Sequence, residues 1–210
     1  AMTDAGYQQG YVAPVVQFLN ACANRPRKIL FVSSTRVYGD CQGEWVDESS
    51  ATQPEGFAGA RILEAERLLL ESIHQVTIVR PGGIYGRWPS ALVRRIEQGR
   101  LCPSEPLVYS NRIHRDDCAG FLWHLLRGLV QGEVWENCYL CVDNEPVARR
   151  QFENWLGLQL GVTEILENDA PLRSVTSKRC RNTRMLGTGY RIQFPDYRSG
   201  YRAMLETRSP

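Results

Sequence analysis

The sequence predicts an α/β protein: a parallel sheet flanked by helices, followed by a small, mostly helical C-terminal lobe. Three observations carry this. Two short apolar runs, Lys28–Ser33 and Gln75–Arg80, suit strands buried on both faces. Segments of helical period alternate with them, the pattern of a parallel sheet crossed by helices. Beyond about Val142 helical segments dominate and few strands remain. At 210 residues with 43% hydrophobic content, the chain can bury one large core, or a core plus a small second one. The boundary is expected at 142/143, giving units 1–142 and 143–210.

The elements follow in order. Val12, Val15, Val16, Leu19 and Cys22 recur at helical spacing, so Tyr7–Ala23 is a helix, ended by Asn24-Arg25-Pro26. Lys28–Ser33 is the first buried strand. Gly39–Pro54 is polar and rich in Asp, Gly and Ser, hence a surface loop. Phe57–Ser72 returns to helical period through Ile62, Leu63, Leu69 and Leu70. Gln75–Arg80 is a second strand, stopped by Pro81-Gly82-Gly83, and Ala91–Gln98 is a short helix. Val108–His114 is extended, after which Asp116 or Asp117 caps a helix to about Leu129. Trp135–Val142 is a strand. Arg149–Leu160 is a helix ended by Gly161, and helical pieces fit Asn182–Leu186 and Asp196–Glu206.

Composition excludes several functions. The net charge of +2 is too balanced to imply a nucleic-acid partner. Lys28 and Lys178 are the only lysines; the bias to arginine is uniform and weakens any special meaning of one arginine. Seven cysteines, an odd and scattered set, do not make a disulfide framework, and reduced thiols fit the cytoplasm. Cys138 and Cys141 form a C-x-x-C within a strand, where they point to opposite faces, unlike the helix-start redox motif. Three dispersed histidines argue against a metal. No apolar run is long enough to span a membrane. The basic run Ser177–Arg184 reads as a solvated face, with a contact to a substrate diphosphate as the alternative. The only G-x-G, Gly187-Thr188-Gly189, follows a helix and reads as its C-cap rather than a phosphate loop.

Four phrases remain: V-S-S-T-R-V-Y-G at Val32–Gly39, F-A-G-A-R at Phe57–Arg61, V-R-P-G-G-I-Y-G at Val79–Gly86 and N-R-I-H-R-D-D at Asn111–Asp117. Their order and spacing resemble the extended short-chain dehydrogenase/reductase superfamily, in its NAD-dependent epimerase/dehydratase branch. The resemblance implies a Rossmann-like sheet, of which this chain holds the C-terminal part. The strand, Gly-rich turn and helix that bind a pyrophosphate are not found, so about 60–70 preceding residues, two βαβ units, are expected in a longer polypeptide. The residue that chooses NAD over NADP would lie there. The Phe-x-x-x-Arg pair, with G-Y-x-x-x-F-P-D-Y-x-S-G-Y from Gly189 to Tyr201, looks like an atypical bacterial subfamily.

The resemblance also assigns residues. Ser34 would hydrogen-bond the substrate oxygen being oxidised, and Ser33 would touch the cofactor; strand-end hydrogen bonding is the plainer role for both. Thr35 and Arg36 stand where sugar-nucleotide dehydratases carry an acid–base Asp-Glu pair, which disfavours a 4,6-dehydratase. Phe57 stands at the position of the family's Tyr base and Arg61 at that of its Lys, one helical turn apart. Phenylalanine cannot move a proton and could simply be a pocket wall; Arg61 can still donate to a nicotinamide ribose. The backbone of Pro81, Gly82, Gly83 and Ile84 would contact the nicotinamide, with Tyr85 at the crevice mouth. Asn111 and Arg112 could face a phosphate or sugar. His114 is the first candidate for a replacement acid/base, though a structural histidine is the commoner case; Tyr38 and Tyr85 are weaker candidates. The implied protein binds NAD or NADP and forms a homodimer through the helices at Tyr7–Ala23 and Phe57–Ser72. It is an oxidoreductase or epimerase of unknown small-molecule substrate, or else a non-catalytic cofactor sensor or scaffold.

Overall fold

The structure, a computed structural model, describes residues 3–22, 24–87, 90–166 and 176–207. It opens with helix α1 (Asp4–Tyr7), a π-helical turn over Gln8–Val12, and helix α2 (Ala13–Ala21). The sequence predicts one uninterrupted helix here. Pro14 gives the reason for the π turn: it has no amide proton, and its ring crowds the carbonyl four residues back, so the preceding turn widens. The predicted last residue, Ala23, lies outside the described residues.

Then come β1 (Lys28–Val32), a 3-10 turn over Thr35–Tyr38, β2 (Trp45–Val46), α3 (Phe57–Leu70), β3 (Gln75–Pro81), β4 (Gly83–Tyr85), α4 (Ala91–Glu97), β5 (Tyr109–Ser110) and β6 (Arg112–His114). The chain continues through α5 (Arg115–Gln131), β7 (Cys138–Cys141), β8 (Val147–Ala148), α6 (Arg149–Gln159), β9 (Arg179–Cys180), α7 (Thr183–Gly187) and α8 (Tyr197–Glu206).

The main sheet is parallel, in the order β1-β3-β7. Lys28 stands opposite Gln75 and Val32 opposite Val79, while Ile78 stands opposite Cys138 and Pro81 opposite Cys141. The strand predicted to stop before Pro81 therefore includes it. Strand β3 is central, and every residue from Val76 to Pro81 is buried, which explains its unbroken apolar run. Successive residues face opposite layers. Val76 and Ile78 pack with Val15, Ala65 and Leu69 of α2 and α3. Val79 packs with Tyr139, Cys141 and the α5 residues Phe121 and Leu125. Full burial of a Phe or Leu side chain contributes about 1.5–3 kcal/mol, so these two layers hold the sheet.

A second core joins Val93 and Ile96 of α4, Phe152 and Leu156 of α6, and Tyr197, Tyr201 and Met204 of α8. It draws on residues from both sides of position 142. Conversely, β9 pairs in parallel with β2, and Met185 packs under the main sheet. The two cores are thus interleaved in sequence. Gly189, at φ 83°, follows the end of α7 as the sequence predicts.

Candidate functional site

The carboxyl end of the sheet is built where β1 and β3 stop. The Ser33 amide still donates to the Val79 carbonyl at 2.7 Å. Ser34 then leaves the sheet and caps the 3-10 turn, its hydroxyl accepting from the Arg36 amide at 3.2 Å. That bond uses the Ser34 oxygen as acceptor and leaves its proton to donate outward.

Beneath this turn lies a buried ionic network that the sequence reading missed. Arg80 forks onto Glu66, with Nε to Oε1 at 2.9 Å and Nη2 to Oε2 at 2.6 Å. Arg80 Nη1 donates to the Tyr38 hydroxyl at 2.7 Å, and the Ser33 hydroxyl donates to Glu66 Oε1. Glu66 is 1% exposed and Arg80 7%. The network ties together β1, the 3-10 turn, α3 and β3, the four pieces that present Ser34 and Phe57. Its signal in the sequence is an arginine ending an apolar strand and a glutamate four residues after Ile62, on the buried stripe of α3. Ser33, expected to touch a cofactor, has its hydroxyl engaged inside this network. Tyr38 is held in it too; burial raises its phenol above the ordinary value, so it is no ready base.

Phe57 is the first residue of α3 and stays exposed. Gly59 permits the approach: a Cβ there would stand 2.6 Å from the Arg36 carbonyl oxygen. The Phe57 ring meets Tyr7 edge-on at 5.7 Å, and Tyr7 stacks on Tyr11 at 5.5 Å. One turn on, Arg61 pairs with Asp4 through Nε at 2.7 Å and Nη2 at 2.9 Å, and with Glu64 through Nη1 at 2.8 Å. Among the described residues three of its five N–H bonds are used and two remain.

Gly82 and Gly83 do not have positive φ. The sequence predicts that they let the backbone approach a ligand; what Gly82 approaches is the chain itself. A Cβ there would stand 2.8 Å from the Asn111 carbonyl oxygen, and the Gly83 amide donates to that same oxygen at 2.8 Å. Gly83 and Ile84 then emerge at the rim, while Pro81 is buried in the sheet.

Five further expectations are corrected by the contacts these side chains make. Tyr85 is not at the crevice mouth but packed inward, stacked on Tyr201 at 4.7 Å and edge-on to His114 at 5.2 Å. Asn111 faces β9 rather than a ligand, donating to the Lys178 carbonyl at 3.0 Å and accepting from the Cys180 amide at 2.7 Å. Arg112 lies buried with its guanidinium 3.6 Å over the Phe152 ring and Nη1 on the Ser110 hydroxyl at 2.5 Å. His114, the proposed acid/base, is the buried N-cap of α5: its Nδ1 accepts from the Asp116 amide at 3.3 Å. Burial depresses its pKa, keeping the ring neutral. Asp117, an expected cap, instead receives the Gln193 and Phe194 amides at 2.7 and 2.8 Å.

The basic run is not a solvated face. Lys178 is buried and donates to the Gly39 carbonyl at 2.9 Å. The Arg179 guanidinium sits against the Trp45 and Tyr109 rings at 5.0 and 4.9 Å, and Arg184 reaches Glu48 at 3.7 Å. These contacts tie β9 and α7 to β2, β5 and the loops around them. Among the described residues no cluster of His, Cys, Asp and Glu could hold a metal ion, and no helix is long and apolar enough to cross a membrane.

Near the carboxyl end several residues of these elements stay open to solvent. Val32 is 42% exposed, Phe57 44% and Ile84 54%, with Ser34 and Arg61 among the same elements. Open parallel α/β sheets bind ligands at this end of their strands.

No protein-family model matches the chain. It is similar to Protein YeeZ of Escherichia coli strain K12, 31% identical over 142 residues that cover 67% of this chain and 50% of YeeZ. The chain thus spans about half the length of the curated relatives it matches. Among solved structures, a Methylobacillus flagellatus protein described as an NAD-dependent epimerase/dehydratase is 33% identical, with a TM-score of 0.79, covering 97% of this chain and 72% of that one. The human epimerase family protein SDR39U1, solved with NADPH, has a TM-score of 0.79 at 18% identity, covering 98% and 76%. UDP-glucose 4-epimerase of Thermus thermophilus, solved with NAD, has a TM-score of 0.73 at 16% identity, covering 91% and 67%. At such identities the last two show the fold alone.

Proposed function

This chain belongs to the NAD-dependent epimerase/dehydratase family, and we propose that its sheet end forms part of an NAD- or NADP-binding site serving an oxidoreductase or epimerase without the usual Tyr base. The observation that carries this is exposure at the ends of these elements: Val32, two residues before Ser34, together with Phe57 and Ile84, leaves apolar surface open to a ligand. A flat nicotinamide ring fits such a surface, and burying it there is favourable. The two remaining N–H bonds of Arg61 fit ribose hydroxyls.

A bound nicotinamide would supply a hydride acceptor or donor. Ser34 would donate its free proton to the substrate oxygen and orient it. Oxidation of an alcohol also releases the hydroxyl proton. Phe57 cannot take it, Tyr38 and His114 are buried and hydrogen-bonded, and Tyr85 is packed inward against Tyr201, so the proton would pass to water directly. Turnover would accordingly be slow, since a positioned base usually contributes about 10²–10⁴-fold. A nucleotide-sugar-like molecule or a small carbonyl or hydroxyl compound is the substrate class. A 4,6-dehydratase stays disfavoured, because Thr35 is buried and Arg36 is a cation.

The same lack of a proton-transfer group favours a second reading, a cofactor sensor or scaffold that catalyses nothing. The proposal includes a homodimer through α2 and α3, on which Val16, Phe18 and Leu70 are exposed, and a cytoplasmic location, consistent with seven free cysteines. Native mass spectrometry reads the oligomer directly.

Fluorescence titration of the full natural protein with NADH and NADPH, followed by a screen of nucleotide sugars and carbonyls, tests the reading. Binding with turnover that Ser34→Ala abolishes supports the enzyme. Binding with no turnover supports the sensor. No binding of any nicotinamide nucleotide overturns both.

A further inference from the structure

The junction between the two cores holds a second buried polar cluster that the proposed site does not use. Asp143 follows β7 at the carboxyl edge of the sheet and is 2% exposed. Its Oδ1 accepts from the Glu145 amide at 3.1 Å, while Oδ2 has no partner among the described residues. The hydroxyls of Tyr85 and Tyr197 are likewise buried without a partner among those residues. Neither Asp143 nor the nearby buried Arg112 forms an ion pair among the described residues.

Three polar atoms, on β4, at the β7 end and on α8, are thus buried without partners among the described residues, and Tyr85 lies within electrostatic reach of Asp143. Buried polar atoms that lack a protein partner are characteristically met by ordered water. The loop carrying Asp143 is also stapled on both sides. The Asp143 amide donates to the Arg112 carbonyl at 2.7 Å, and the Asn144 amide to the Pro195 carbonyl at 2.9 Å, just before α8. Whatever happens to the Asp143 carboxyl is therefore felt by both β6 and α8.

The groups that face this carboxyl are of mixed sign. They are Arg112 of β6, Tyr85 of β4, Glu145 on its own loop and Asp196 at the start of α8. Glu145 is itself held by Arg198 of α8 at 2.5 Å. Among the described residues Arg112 is the cation that acts on Asp143, and it is opposed by desolvation and by two carboxylates.

We propose that Asp143 is a neutral carboxylic acid donating to buried water shared with Tyr85, and that its ionisation loosens α8 from the sheet, making the lobe junction pH-sensitive. Burial pushes the carboxyl up to about 7, which sets the window. The folded value lies above the unfolded one, so this contribution to stability is complete at acid pH. It is lost as pH rises from the ordinary carboxylate range through about 7.

The test is the melting temperature of the full natural protein and of Asp143→Asn from pH 5 to 8.5. Asparagine mimics the neutral acid in shape. The variant should melt higher than the unchanged protein by about 5 °C at pH 8.5, with the gap closing toward pH 5. A gap independent of pH, or a variant less stable throughout, overturns the proposal. Isotope-edited infrared spectra of the unchanged, carboxyl-labelled-aspartate protein need no variant. A neutral aspartic acid carbonyl band persisting at pH 6 is expected; its absence overturns the proposal as well. Neither measurement depends on cofactor binding, so its failure is distinct from failure of the proposed function.

Discussion

Two buried charge clusters in this chain meet the same physical problem in opposite ways. Under the rim, Glu66 and Arg80 fork together, and the hydroxyls of Ser33 and Tyr38 complete them. At the lobe junction, Arg112 and Asp143 are as deeply buried but remain unpaired, with three polar atoms lacking partners among the described residues. A buried charge is tolerable when paired and hydrogen-bonded; otherwise it neutralises or draws in water. The first cluster therefore acts as a fixed frame for the loops above it, and the second as a joint whose state depends on solution conditions.

The largest effect should come from breaking the frame. Glu66→Gln leaves the Arg80 guanidinium buried without its counter-charge, and urea denaturation should show a loss of about 3–5 kcal/mol. Next is Gly200→Ala, whose Cβ would overlap the Tyr85 hydroxyl. Overpacking of this kind costs about 1–3 kcal/mol, and should unstack Tyr85 from Tyr201, visible as a change in near-ultraviolet circular dichroism.

The pH dependence of the joint has two limbs of opposite sign. Asp143, raised by burial, stabilises at acid pH and loses that contribution as pH rises through about 7. His114, lowered by burial, stabilises above the ordinary histidine value and loses that contribution as pH falls below it. Melting curves of His114→Asn, which keeps a cap acceptor for α5, should flatten the acid limb only. The smallest effect on stability belongs to Arg61→Ala. Its ion pair with Asp4 is exposed at the surface and such pairs contribute little, so thermal melting should not move. Its cofactor affinity should fall about tenfold, the measure of one charge-assisted hydrogen bond.

Local pattern made much of the fold legible. The run at Gln75–Arg80 gave a strand of the right type because burial on both faces leaves an apolar signature; the run at Lys28–Ser33 also gave a parallel strand, but the residues of β1 are half-buried or exposed rather than buried. The helix starting at Phe57 was legible from period alone. What local pattern could not show is what sits opposite a side chain. Lys178 looks solvated in sequence, yet its partner is the Gly39 carbonyl, 139 positions away. Asp117 looks like the cap of α5, but the amides of Gln193 and Phe194 claim its carboxylate, and His114 caps instead. Tyr85 and Arg112 follow the family phrases, and only α6 and α8 packing over them turns them inward. Phe57, Gly83 and Ile84 are candidate residues that stay exposed, with Ser34 and Arg61 half-buried.

On the reading proposed above, the sheet end takes a nicotinamide cofactor but has no proton-transferring group at position 57. The most direct measurement compares the unchanged natural protein with Phe57→Tyr, recording NADH and NADPH affinity alongside substrate-dependent hydride transfer. The account predicts equal affinity in both proteins and a gain of hydride transfer, on the order of a hundredfold, in the tyrosine variant. Failure of both proteins to bind either nucleotide, or tyrosine-variant transfer no faster than the unchanged protein's, would contradict it.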